Sequence, residues 1–380
     1  MDFSRRMAGL QAEMSERGLD LVMFGHCPSF QYLTGIPADW RLAPDHRPEG
    51  DVVLVPREGG ALLVESGAYP AGAFKAARTL RLEEAGGWEA ALSDIASGLG
   101  RLPRRLGLGA YLPAPAVVAA LQAFGHPGTT DASRLLDRMR AVKEPEEIEA
   151  LRAAARLTDT VMMDVARWLR EGVTQREVML EIERRGRLAG ASHVSFSPWA
   201  CFVRPGSAPV TADVTGYPLD EGLSGPAAIT FDVGFVLDGY CSDWGRSLHW
   251  GTPSAQAAAA YGALRRAVED TVAGMGDGAM RACDVYPAIE RRLDALGFGD
   301  QMRARLAGNR VMGHQIGVEV HENPWLRPDF DEPLREGMVL CVEPKLWNPG
   351  EYYLRLEEMV LVGRTGGTFL TQFDRELFGI

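Results

Sequence analysis

Residues 229–250 read "ITFDVGFVLDGYCSDWGRSLHW", two strand-like runs around the turn signal Val236-Leu237-Asp238-Gly239, whose glycine can take a positive φ. A four-residue loop there sets Asp232 opposite Asp243 on one face of a hairpin, with Cβ atoms roughly 5 Å apart. Two opposed carboxylates in an apolar strand pair repel. The pairing is stable only if one is protonated or a cation sits between them.

A second stretch repeats the arrangement. "MVLCVEPKLWNPGEYYLRLEEMVLV", residues 338–362, turns at Asn348-Pro349-Gly350 and sets Glu343 opposite Glu357. Arg355 lies two residues before Glu357 and projects from the same face. One acidic pair alone reads as a solvated hairpin face, since Asp238 and Glu358 are acidic too. Two pairs in matching places favour metal. His314, in "VMGHQIGVEVHENP" (311–324), adds a neutral imidazole. Four carboxylates and one histidine can neutralise two divalent cations about 3.5 Å apart. Oxygen-rich ligation favours Mn, Co, Fe(II) or Zn over Cu.

The frame around these stretches is that of an α/β (α+β) protein. The 380 residues suggest two domains, and 46% hydrophobic with 24% charged residues is an ordinary soluble composition. A net charge of −11 argues against nucleic-acid or anionic-membrane partners. No apolar run reaches the roughly 18 residues of a membrane span, and the start lacks a signal-peptide core. The five scattered cysteines fit free thiols in a reducing cytoplasm, small buried hydrophobes rather than a zinc site.

Helix-like "RRMAGLQAEMSERG" and strand-like "LDLVMFG" and "DVVLVP" predict a small α/β domain over 1–141. Pro145-Glu146-Glu147 then opens a long helix, about 146–171, at the head of a second domain over 142–380. There the order of elements repeats. The capping box Thr174-x-x-Glu177 opens one helix, Ser254 another, and Asp284 caps a third. "EGVTQREVMLEIERRGRLAGA" (171–191) and "DGAMRACDVYPAIERRLDALG" (277–297) hold equivalent places, so two helix-helix-strand-strand halves form a pseudo-symmetric catalytic domain with its site between them.

These residues resemble the pita-bread metallopeptidases. "FDVGFVLDGYCSDWGRS" is similar to their two-aspartate signature and "GHQIGVEVHENP" to their histidine element. "GMVLCVEP" and "RLEEMVLV" are similar to their glutamate strands. "YLTGI" (32–36) and "VKEPEEIEALRAAA" (142–155) resemble the amino-domain and junction signatures of the aminopeptidase P, prolidase and creatinase branch. The resemblance implies a creatinase-like amino-terminal domain and a pita-bread catalytic domain. It implies two metals, manganese first with cobalt, zinc or iron as alternatives, held by Asp232, Asp243, His314, Glu343 and Glu357. It further implies a metal-bridging hydroxide as nucleophile, with its proton taken by Glu343. His321 would stabilise the oxyanion, and Arg355 would orient the substrate or the ligands. The expected protein is a cytoplasmic homodimer that hydrolyses Xaa-Pro bonds in small peptides.

The sequence departs from that branch on the substrate side. No histidine occurs between His193 and His249, where proline-specific members carry one; Asp213 or a neighbour fills the place. Arg310 stands four residues before His314, and Gln315 replaces a glycine of the motif. Arg204, Trp199 and Trp244 are candidates for an altered pocket. The alternative is a superfamily member acting on a small non-peptide substrate, as creatinase, ectoine hydrolase and a dimethylsulfoniopropionate lyase do. A non-catalytic binding module is disfavoured, because all five ligand positions are kept.

Overall fold

Two helix-helix-strand halves organise the carboxy-terminal part of the chain in the computed structural model, which describes residues 1–36, 50–66, 74–206, 219–306, 310–376 and 378–380. The chain divides into compact units Met1–Met139 and Arg140–Ile380.

The first unit holds a six-stranded mixed sheet, in the order Arg78–Arg81, Leu62–Glu65, Val52–Pro56, Leu21–Phe24, Arg105–Leu108, Gly128–Asp131. Its central strands Leu21–Phe24 and Val52–Pro56 are buried on both faces by simple alternation. Val22, Phe24, Val53 and Val55 join Leu10 and Met14 of helix Phe3–Glu16 in one core. Leu21, Met23, Val52 and Leu54 join Leu92 and Ile95 of helix Trp88–Gly98 in the other.

The second unit opens with helix Pro145–Trp168, starting at Pro145 as the sequence predicts, followed by Gln175–Leu188. Glu177 accepts from Thr174 N at 2.8 Å and donates its own N–H to Thr174 Oγ1 at 3.2 Å, closing the expected capping box. The matching helices of the second half are Ala255–Val272, capped by Ser254, and Val285–Ala295. Asp284 does not cap the latter from its N-cap position. Its carboxylate instead accepts from Arg281 N at 3.0 Å, at the end of a short 3-10 turn (Ala282–Asp284).

Each half carries its own antiparallel sheet. The first has the order Trp244–Trp250, Ala227–Val233, Trp199–Val203; the second, Glu322–Trp325, Gly313–Gln315, Val339–Val342, Glu358–Val362, Gly367–Phe369. The sheets meet at an antiparallel bridge between Gly245 and Glu357, where Glu357 N donates to Gly245 O at 2.8 Å. A Cβ on residue 245 would stand 2.6 Å from Arg355 Nε and 2.9 Å from Glu357 Cβ, so only glycine lets the two sheets approach this closely. No helix of the described residues is long and apolar enough to cross a membrane.

Candidate active site

The acidic residues converge around that bridge. Asp232 lies in strand Ala227–Val233 and Asp243 just before strand Trp244–Trp250. Their register differs from the one expected. Asp238 (φ 50°) and Gly239 (φ 82°) are both left-handed and form a two-residue turn, which suits strand twist better than a longer loop. Leu237 therefore pairs with Tyr240, and Asp232 with Gly245. The shift is two residues, one full side-chain period, so Asp243 stays on the face of Asp232 as its diagonal neighbour, roughly 7–8 Å away along the strands instead of directly opposite.

The second hairpin keeps the predicted register. Val342 pairs with Glu358 and Lys345 with Arg355, which sets Glu343 and Glu357 across from each other where the two strand pairs join. His314 lies in strand Gly313–Gln315, opposite Cys341. Gly313 before it has φ 144°, and a Cβ there would stand 1.8 Å from Cys341 O, so glycine is required for the histidine strand to pack on its neighbour.

His314 Nδ1 pairs with Gln315 O at 3.0 Å, leaving Nε2 turned to Asp243 Oδ2 at 3.5 Å. The hydrogen bond to a carbonyl puts the proton on Nδ1 and makes Nε2 the free ligand atom. Asp243, His314 and Glu357 each offer a ligand atom within 4.8 Å of the others, and the Cys341 thiol completes that close group. Asp232 and Glu343 are outside that close group. Arg355 donates to Glu343 Oε2 at 2.9 Å, to Glu357 Oε2 at 2.6 Å and to Asp232 Oδ2. Lys345 Nζ also donates to Glu343 Oε2.

The electrostatics show an incomplete cluster. Burial pushes Asp243 well above the usual carboxylate range, and Asp232 adds to the shift. Burial does the same to Glu357 despite Arg355. Glu343 is the exception. Burial alone would raise it, but Lys345 and Arg355 hold it well below the usual range. Asp232 Oδ1, Asp243 Oδ1 and Glu357 Oε1 are buried without a hydrogen-bond partner. A buried carboxylate oxygen is costly in that state, and a hard cation is the partner its chemistry calls for. The donor set of carboxylates and one imidazole thus fits divalent metal.

His321 stands at the open side of this group. Its ring lies 4.4 Å from that of His314, nearly perpendicular, and 5.1 Å from Trp325. Partial burial, then His314, lower its pKa to about 4, so it is neutral at neutral pH. Glu322 beside it turns inward, onto Arg140 Nη2 at 2.6 Å and Lys143 Nζ at 3.0 Å. Lys143 also donates to Gln315 Oε1 at 2.8 Å, which gives that glutamine a structural task.

Of the candidate pocket residues, Trp199 pairs with Asp232 across neighbouring strands and borders the site. Trp244 does not. It is fully buried, packs on Phe373 and donates to Asp159 Oδ1 at 3.1 Å. Arg204 is bound to Glu221 and to Ser224 Oγ. Arg310 lies against the Tyr286 ring. Asp213 is outside the described residues. Lys345 and Cys341 are the two site residues that sequence reasoning missed. The two-residue alternation from Glu343, which puts both on its face, was the available signal.

Comparisons with known proteins give the family of the chain. The model of metallopeptidase family M24 matches residues 149–364, and that of the creatinase/prolidase N-terminal domain matches residues 6–142. An uncharacterized peptidase of Staphylococcus saprophyticus is 29% identical over 255 residues, 67% of this chain and 69% of the relative. The putative dipeptidase YkvY of Bacillus subtilis is 31% identical over 246 residues, 65% of this chain and 64% of the relative. The crystal structure of a recombinant prolidase from Thermococcus sibiricus superposes with a TM-score of 0.82 at 25% identity, covering 100% of both chains.

Proposed function

Because the chain belongs to metallopeptidase family M24, we propose that Asp232, Asp243, His314, Glu343 and Glu357 bind two divalent ions, manganese first with cobalt, zinc or iron as alternatives, and that the protein hydrolyses Xaa-Pro bonds in small peptides. The observation that carries this reading is the set of three buried, unpartnered oxygens on Asp232, Asp243 and Glu357, two of these residues grouped closely with His314, whose Nε2 lies 3.5 Å from Asp243 Oδ2. The ions, when bound, supply polarisation of the scissile carbonyl and activation of water.

The chain's own residues supply the rest. Glu343 is held ionised by Lys345 and Arg355, and the family resemblance gives it the role of proton acceptor. Neutral His321, on the open side beside His314, donates an N–H to the oxyanion that develops on the substrate. Arg355 fixes Asp232, Glu343 and Glu357 relative to one another. The same reading includes a cytoplasmic homodimer, on the family resemblance. Light scattering after gel filtration and cell fractionation check those two points.

A second reading, a small non-peptide substrate with a C–N bond, is favoured by one observation: the absence of any histidine between His193 and His249. A peptide amide without that contact is less well positioned, and about 1 Å of misplacement costs roughly 10²-fold. A panel of Xaa-Pro dipeptides and Xaa-Pro-Xaa tripeptides, assayed with Mn, Co or Zn, separates the two. Turnover above about 1 per second supports the peptidase. Uniform inertness of a metal-loaded protein overturns it in favour of the small substrate.

A further inference from the structure

One of the five scattered cysteines ends in the carboxylate cluster. Cys341 lies in strand Val339–Val342, two residues before Glu343 and directly across from His314. Its thiol, one oxygen each of Asp243 and Glu357, and one ring nitrogen of His314 all lie within 4.8 Å of one another. All four residues are 2% exposed or less. Four ligands about 2.0–2.3 Å from a shared ion stand roughly 3.5 Å apart, so a group of this span closes on one ion with small side-chain adjustments.

A buried thiol usually serves as a small hydrophobe, and Cys341 does belong to the apolar cluster of Leu151, Ile316, Val339 and Met359. Two observations set it apart. Cys241, in the same cluster, donates its thiol to Val318 O at 3.4 Å, whereas the Cys341 thiol makes no hydrogen bond among the described residues. Asp243 and Glu357, which share its group, each keep a buried oxygen without a hydrogen-bond partner. A neutral S–H is too weak a donor to satisfy them. A divalent ion shared by all four does so, and it takes the sulfur as thiolate while the S–H proton passes to water. The donor set then discriminates among metals. Carboxylates alone suit Mn²⁺, whereas an imidazole and a soft thiolate favour Zn²⁺ and Co²⁺.

We propose that Cys341 is a metal ligand, giving its sulfur to the ion held by Asp243, His314 and Glu357, and that this thiolate makes the site select zinc, with cobalt next, over manganese. The inference rests on the metal reading above. It reverses, for this chain, the order of metals that the family resemblance implies.

The test uses the full chain, stripped with a chelator and reloaded with Co²⁺ alone, with bound cobalt measured after dialysis. A cobalt–thiolate bond gives an intense charge-transfer band in the near ultraviolet, and a site of oxygen and nitrogen donors does not. The unaltered protein is expected to show the band. Cys341→Ser and, as a second shape, Cys341→Ala should lose it while still binding cobalt. In competition dialysis against equal Zn²⁺ and Mn²⁺, both variants should lose zinc preference at least about tenfold, since even an outer partner of a ligand is worth about 10- to 100-fold in affinity. Cobalt bound without the band in the unaltered protein overturns the proposal, and that result depends on no variant. A band that survives in both variants, or a zinc-to-manganese ratio unchanged by both, overturns it too. An unaltered protein that takes up no cobalt, zinc or manganese overturns the metal reading itself, and this inference with it.

Discussion

Two buried charge clusters lie a few residues apart in the second unit, and they are built to opposite rules. In one, Glu322 meets Arg140 and Lys143, both of them buried, and Lys143 is further held by Gln315 Oε1 and Arg140 O at 2.8 Å. Both Glu322 oxygens are used, so every oxygen of that carboxylate is met by a cation, although Arg140 Nε and Gln315 Nε2 are buried without a hydrogen-bond partner. In the other, Arg355 and Lys345 reach three of four carboxylates, Asp243 lies against His314, and three carboxylate oxygens have no hydrogen-bond partner. A carboxylate whose oxygens are both met by cations of the chain reads as architecture. A burial that costs energy until something arrives reads as a site. His314 and His321 fall on either side of this division. His314 belongs to the incomplete cluster, and His321 is carried on the segment that Glu322 anchors.

The comparison breaks at different places with different severity. Asp243→Ala removes a carboxylate from the close group around His314, and kcat should fall at least about 10³-fold, the several kcal/mol a bound metal supplies. Steady-state kinetics on an Xaa-Pro peptide checks this, and a loss under tenfold would remove Asp243 from the site. His321→Ala should lower kcat about 10²-fold, the scale of one oxyanion donor, while the metal content stays as it was. Metal lost in proportion to rate would place His321 among the ligands.

Glu322→Gln attacks the completed cluster instead. It leaves Arg140 and Lys143 buried against a neutral amide and should cost about 3–5 kcal/mol of stability, seen as a lower urea midpoint at an unchanged slope. Metal content should not change. The pH dependence follows from the same contacts. Burial alone would raise Glu322, but Arg140 and Lys143 bring its pKa down to about 2. A carboxyl depressed in the folded state stabilises it above the unfolded value of about 4.3, and that contribution is lost as pH falls from there towards 2. The Gln variant should lack this part of the acid-side slope, and equal acid midpoints for the two proteins would refute the assignment.

Much of the incomplete cluster was legible in the sequence, because strand alternation projects Glu343 and Glu357 onto one face whatever else the chain does. The first hairpin was legible only modulo two residues. Local sequence did not show that Asp238 would go left-handed beside Gly239, yet a two-residue error preserves the face and so preserved the site. The completed cluster was not legible. Arg140 and Lys143 are 182 and 179 residues from Glu322, and no local periodicity encodes such contacts. Trp244 shows the converse failure. Its position next to Asp243 suggested a pocket, but the strand face it occupies is packed by Phe231 and Phe373.

The central claim is that metal completes the carboxylate cluster. Metal analysis of the dialysed protein and of Asp243→Ala, paired with melting curves with and without a chelator, tests it most directly. The unaltered protein should carry divalent metal and melt lower once stripped, since a ligand at about 100 times its Kd contributes about 2.7 kcal/mol. Asp243→Ala should have lost most of the metal and most of the chelator response. A full metal complement in that variant, or a melting temperature of the unaltered protein indifferent to chelation, would contradict the account.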